Sequence, residues 1–319
     1  MRAWRLPPIR CGCWRCTTKT NEWSWKNAQG LKFHSRSWDP DTKVRAVVGL
    51  LHGLGEHTGR FAPIGGLLAR SGYALVGFDL RGHGLSAGPR GHTPSYEAML
   101  DDLSDFLGQI KSRYPHAPVF LYGHSLGGNL ILNFALRRKA PVQGAIVTGA
   151  WLKVAFEPPA AKVAVARALN RVVPGFTQEW GLETPALSHD TEIVEVYDAD
   201  PLVHGRISAR LFVAFYDAGK WALEHASEFP LPLLLMHGTA DRVTSLEASR
   251  EFAMRAGKIV TWRAWEGLYH EIHNEPARGK VVGAMIHWMD GRLGKVRTAR
   301  PRAGQKATSM RKSGARSET

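Results

Sequence analysis

The stretch Gly123-His124-Ser125-Leu126-Gly127-Gly128 stands between a short apolar run, residues 119–122, and a segment with helical periodicity, residues 126–138. A serine flanked by glycines where a strand gives way to a helix constrains the fold more than any other feature of the chain. The turn must be sharp, and crowding there leaves no room for side chains at Gly123 and Gly127. Such a turn holds Ser125 in a strained backbone conformation with its hydroxyl exposed. The helix that follows directs its positive end at the same point and favours any negative charge that develops there.

The rest of the chain has the pattern such a turn needs. Residues 31–38 alternate like a strand, residues 45–51 form a β-branched and apolar run, and residues 73–78, 119–122, 145–147, 231–236 and 259–264 repeat the theme. Runs of that kind suit strands buried on both faces of a parallel sheet. Helical stretches fall between them, at residues 60–70, 95–113 and 126–138, and Ser95 is a candidate helix cap. Strands alternating with helices predict an α/β fold with a mostly parallel central sheet and helices on both faces. Between 151 and 229 the alternation breaks: the interval is Ala/Val-rich at first and is interrupted by Pro158, Pro159, Pro174, Pro185 and Pro201. It reads as a helical insertion, a cap over the end of the sheet where the chemistry sits. The expected division is a basic flexible tail over 1–24, a core over 25–150 and 230–291, the cap over 151–229, and a basic disordered tail over 292–319.

A serine hydroxyl is a poor nucleophile and needs a base, itself oriented by an acid. In the α/β-hydrolase arrangement these follow in the order Ser, Asp or Glu, His. Asp241 comes just after the apolar run 231–236, and His270 just after the run 259–264, so both fall at the carboxyl ends of strands. Asp217 and His273 are rivals, but Asp217 lies in the insertion and His273 in what reads as the next helix. The oxyanion donors expected are the backbone N–H groups of Leu54, in the loop His52-Gly53-Leu54-Gly55-Glu56-His57, and of Leu126, next to the nucleophile. The imidazoles of His52 and His57 read as braces of that loop. No cofactor and no metal is expected.

Three motifs together make the resemblance specific: His52-Gly53-Leu54-Gly55-Glu56-His57, Asp79-Leu80-Arg81-Gly82-His83-Gly84-Leu85-Ser86, and Gly123-His124-Ser125-Leu126-Gly127-Gly128. Over about residues 25–291 the chain resembles the monoacylglycerol lipase family, which includes proteins labelled lysophospholipase or serine aminopeptidase-like hydrolase. The resemblance implies a helical cap over an apolar acyl-chain tunnel and hydrolysis of monoacylglycerol to glycerol and fatty acid. A lysophospholipase or a general carboxylesterase is the neighbouring alternative. Asp79, Arg81 and His83 are expected to bind adjoining loops.

Charge separates these readings from a different class, a non-catalytic binder held by its tails. The formal net charge is +14, yet residues 1–30 hold six basic residues and one acid, and residues 291–319 hold nine and one. The body between them is close to neutral, whereas a nucleic-acid footprint needs a basic stripe on the fold itself. No specific nucleic-acid partner is therefore expected. Peripheral contact with a membrane, through the cap or the tails, stays open. All three cysteines, Cys11, Cys13 and Cys16, sit in the amino-terminal tail, an odd number that argues against a disulfide framework. Arg2, Arg5, Arg10 and Pro7-Pro8 open the chain with no apolar segment behind them, so no secretory signal and a cytoplasmic protein are expected.

Overall fold

The computed structural model describes residues 18–293. The cysteine-bearing stretch and most of the carboxyl-terminal basic stretch lie outside these residues. In chain order the strands are β1 (Lys19–Lys26), β2 (Lys32–Asp39), β3 (Ala46–Leu51), β4 (Tyr73–Phe78), β5 (Val119–His124), β6 (Ala145–Thr148), β7 (Thr177–Glu179), β8 (Arg206–Ser208), β9 (Leu233–Gly238) and β10 (Val260–Trp265). The helices are α1 (Ala62–Arg70), α2 (Tyr96–Arg113), α3 (Leu126–Arg137), α4 (Ala160–Val172), α5 (Thr191–Ala199), α6 (Ala209–Glu224), α7 (Leu246–Ala256) and α8 (Arg278–Asp290). Eight strands form one sheet in the order β1-β2-β4-β3-β5-β6-β9-β10, and β7 pairs with β8 apart from it. Only β2 runs against the others in the large sheet.

The continuous apolar runs divide cleanly by alternation. Val47, Leu51, Val76, Leu121, Val147 and Leu235 point into one core with α2, α3, α6 and α7. Val48, Leu50, Leu75, Phe120, Ile146 and Met236 point into the other, with α1 and α8. Strands β3, β4 and β6 are thus buried on both faces, and their only polar side chains are Tyr73 and Thr148. Ser95 caps α2 by accepting the Ala98 N–H at 3.1 Å.

Two boundaries differ from the sequence expectation. Residues 19–24 are not tail: they belong to β1, paired antiparallel with β2 from Lys19 to Lys26. Trp25 explains why, since it stacks on Phe33 at 4.6 Å, meets Phe78 edge-on, and donates its indole N–H to Ser35 at 2.8 Å. The insertion also ends earlier than residue 229. Helix α6 buries Leu211, Phe215, Ala222 and Leu223 in the main core, packed against α3 and α7 as well as against α4. What stands over the sheet is α4, α5 and the β7–β8 pair. Helix α4 has no buried residue.

Candidate active site

Four loops at the carboxyl ends of parallel strands converge on one chamber. The loop after β5 supplies Ser125, whose φ of 53° makes it the only non-glycine with positive φ among the described residues. A side chain at Gly123 would meet the backbone of Gly127 at 2.5 Å, and one at Gly127 would strike the Leu51 carbonyl. Strand β3 and the start of α3 are therefore in direct backbone contact, and only glycine admits it. The strained turn is held by the Ser125 N–H, which donates to the Thr148 carbonyl at 3.0 Å, and by the Ser125 carbonyl, which accepts the Trp151 N–H at 3.0 Å.

Ser125, His270, Gly53 and Leu54 line this chamber, and Asp241 stands behind His270. The Asp241 carboxylate is fully buried and accepts from His270 Nδ1 at 2.8 Å. It also accepts the Val243 N–H at 2.7 Å, the Thr244 N–H at 3.0 Å and the Thr244 hydroxyl at 3.0 Å. A second imidazole reaches it: His237 Nε2 lies 3.0 Å away, with His237 Nδ1 against the Ser249 hydroxyl at 2.9 Å. Burial alone would raise the carboxyl's pKa, but the two histidines outweigh it and hold Asp241 well below the usual carboxylate range. Burial likewise pulls His270 down, and the Asp241 charge more than reverses it, leaving His270 above its ordinary 6.5.

The loop bearing Leu54 is braced from several sides. His52 Nδ1 meets the Gly53 carbonyl at 2.8 Å, while its Nε2 accepts the Leu80 N–H at 2.9 Å, and burial lowers its pKa to about 4. It is a neutral bracket between two loops. His57 binds Asp200 of the cap at 2.8 Å. Glu56 accepts the Gly53 N–H at 2.6 Å, and Arg60 bridges Glu56, at 2.6 Å, to Glu271, at 2.7 Å from each oxygen. One guanidinium between two buried carboxylates cannot satisfy both equally. Burial, together with Glu271, pushes Glu56 up to about 7, whereas Arg60 overcomes burial at Glu271 and holds it at about 2. Leu126 is the first residue of α3, where a helix leaves its N–H groups without an internal partner.

The rivals fall away for different reasons. Asp217 lies on α6 and is half-exposed, paired with Arg167. His273 does not belong to a helix, because α8 begins only at Arg278. It is fully buried, stacks on Phe61 at 4.9 Å and touches His124 at 4.6 Å, with both ring nitrogens unpartnered, and burial lowers its pKa to about 3. Asp79 and Arg81 tie loops together as expected: Asp79 accepts from Thr58 and Leu85, and Arg81 grips Asp102 with two bonds of 2.6 and 2.8 Å.

Beside the chamber opens a second cavity of about 980 Å³, walled by Val154, Val165, Leu169, Phe176, Ile207 and Phe212 among others. The sequence reading named none of Glu56, Arg60, Glu271, His237 or Trp180 as a site residue. Among the described residues, no group of three His, Cys, Asp or Glu side chains is placed to hold a metal ion.

The family model described as serine aminopeptidase, S33, matches residues 42–277. A monoacylglycerol lipase of Mycolicibacterium smegmatis is 31% identical over 86% of this chain and 98% of its own length. An uncharacterized abhydrolase domain-containing protein of Dictyostelium discoideum is 35% identical over 83% of this chain, which spans only 28% of that larger protein. The crystal structure of a monoacylglycerol lipase of Paleococcus ferrophilus superposes with a TM-score of 0.74 at 34% identity, covering 82% of this chain and 99% of the other. The chain belongs to this serine aminopeptidase family and is a monoacylglycerol lipase-like α/β-hydrolase.

Proposed function

We propose that the protein is a serine hydrolase that cleaves a lipid ester, monoacylglycerol, to glycerol and a free fatty acid. The observation that carries this reading is the hydrogen-bonded line from Asp241 to His270, ending in the chamber that Ser125 also lines. With Nδ1 committed to Asp241, Nε2 of His270 is the nitrogen left to take the Ser125 proton. The serine oxygen then attacks the ester carbonyl carbon, and the backbone N–H groups of Leu54 and Leu126 bind the resulting oxyanion. Each such donor contributes about 3–4 kcal/mol in comparable sites. His270 returns the proton to the departing glycerol oxygen as the C–O bond breaks, leaving an acyl ester on Ser125. A water, deprotonated by His270, attacks that ester and releases the acid, and the proton passes back to Ser125.

The surroundings favour a neutral, hydroxyl-rich alcohol and a long apolar acyl chain. Glu56, Tyr197 and His124 line the chamber, and no lysine or arginine does. Arg60, behind Glu56 and Glu271, is engaged by both carboxylates, and Lys162 and Arg242 line the adjoining cavity instead of the chamber. The adjoining cavity is near the upper end of the roughly 300–1,000 Å³ typical of small-molecule sites. The cap also reads as the face that meets lipid. Phe156, Val165, Val172 and Phe176 are exposed around α4, and Lys162, Arg167 and Arg171 stand among them. No described helix is long and apolar enough to cross a membrane.

A fluorophosphonate probe tests the assignment: the protein is expected to be labelled once, at Ser125, and Ser125→Ala to be unlabelled and inactive on monoacylglycerol. Labelling of the variant equal to that of the wild type sinks it. A panel of glycerol, lysophospholipid and alkyl esters compared by kcat/KM then decides the alcohol.

A further inference from the structure

The chamber of Ser125 holds only about 40 Å³ of free space, far less than the neighbouring cavity. Val154, Trp180, Leu182 and Val243 line both spaces, and Trp180 is the largest of them. Its indole, on the cap just after β7, meets Trp151 of the core with ring centroids 5.0 Å apart. An alkyl chain lying between two ring faces needs about 7–8 Å, two van der Waals contacts. The two indoles are therefore too close to admit an alkyl chain between them, and Trp180 stands on the border shared by the chamber and the larger cavity.

The two sides of this contact are not equivalent. Trp151 is buried, its N–H donates to the Ser125 carbonyl at 3.0 Å, its carbonyl accepts from Asn129 at 2.7 Å, and its ring stacks on Phe215. Its ring cannot swing away without leaving Phe215 and the buried core. Trp180 is half-buried, and its backbone N–H is anchored separately, to the Gly205 carbonyl at 2.6 Å. Rotation about its side-chain bonds frees the passage without breaking that anchor. Resting on the ester-hydrolase reading above, we propose that Trp180 is a specificity-determining gate, closed against Trp151 and displaced by the acyl chain of a long-chain ester. Short acyl groups fit the chamber without opening it, so the gate sets the acyl-length preference of this site.

The test compares wild type, Trp180→Phe and Trp180→Ala on monoacylglycerols from acetyl to palmitoyl. An aromatic contact of this kind is worth about threefold to tenfold in an equilibrium. The palmitoyl-to-acetyl ratio of kcat/KM should therefore rise by about that factor in Trp180→Ala, and by less in Trp180→Phe. Labelling rates with short- and long-alkyl fluorophosphonates should shift in the same sense, and they report on the open site even where turnover is slow. An unchanged or lower ratio in both variants, with wild type active, overturns the gate alone. A wild-type chain that is neither labelled nor active overturns the ester-hydrolase reading and the gate with it.

Discussion

At Asp241 one atom separates charge from shape. The Oδ1 side accepts two backbone N–H groups, from Val243 and Thr244, and the Oδ2 side faces His270, His237 and the Thr244 hydroxyl. In Asp241→Asn the amide oxygen keeps the backbone bonds, so its NH₂ must point at His270. That forces Nδ1 to accept and places the ring proton on Nε2, the tautomer that cannot take a proton from Ser125. The fold should survive and kcat should fall by about three to four orders of magnitude. The pH profile carries a second reading. The proposed chemistry needs neutral His270, and Asp241 holds its pKa above 6.5 against burial. Wild-type activity should thus fall off on the acid side at a pH above 6.5, and the Asn variant's residual activity should fall off lower, because the largest charge opposing burial is gone. Near-wild-type turnover, or an acid limb that stays in place, would move the orienting acid elsewhere.

Among the elements, β1 shows how a boundary can hide in plain residues. Its Trp23 and Trp25 alternate with polar neighbours, yet they adjoin a basic stretch that reads as tail. What makes a strand of it is Phe33 and Phe78, supplied by β2 and β4. Removing that large buried ring in Trp25→Ala should cost about 3–5 kcal/mol, seen as a lower midpoint in urea. A loss below about 1 kcal/mol would mean the strand contributes little to the core. The core strands, in contrast, were legible because burial on both faces writes itself as an unbroken apolar run, and β4 ends where that run ends. The turn at Ser125 was legible because steric crowding admits only glycine on either side. The Glu56–Arg60–Glu271 network was not, since Arg60 and Glu271 are 211 residues apart and only the tertiary fold makes them neighbours. Helix α6 was misplaced for a related reason. Its apolar face looks the same whether it meets a cap or the helices of the core.

Seen whole, the molecule has one face unlike the rest. Its body is near neutral and its sheet is covered on both sides, but α4, packed on α6, has no fully buried residue and presents Val165 and Val172 to solvent, with Val173 beyond its end. Apolar groups beside Lys162 and Arg171, with Arg167 paired to Asp217 and no acid on the helix itself, suit an anionic lipid surface. This face also borders the cavity, through Val165 and Leu169, so docking would put the mouth of the cavity where the substrate partitions. Val172 and Val173 do not line the cavity and so separate docking from binding. Each buried valine contributes about 1.5–3 kcal/mol, and a carboxylate facing an anionic surface adds a penalty of its own. Val172→Asp with Val173→Asp should therefore weaken binding to phosphatidylserine-containing vesicles at least about tenfold and lower hydrolysis of monoacylglycerol held in them. Hydrolysis of a dissolved short-chain ester should stay near the wild-type rate. Equal losses on both substrates would assign these valines to the fold of the cap, and equal vesicle binding by variant and wild type would leave α4 with no part in meeting the membrane.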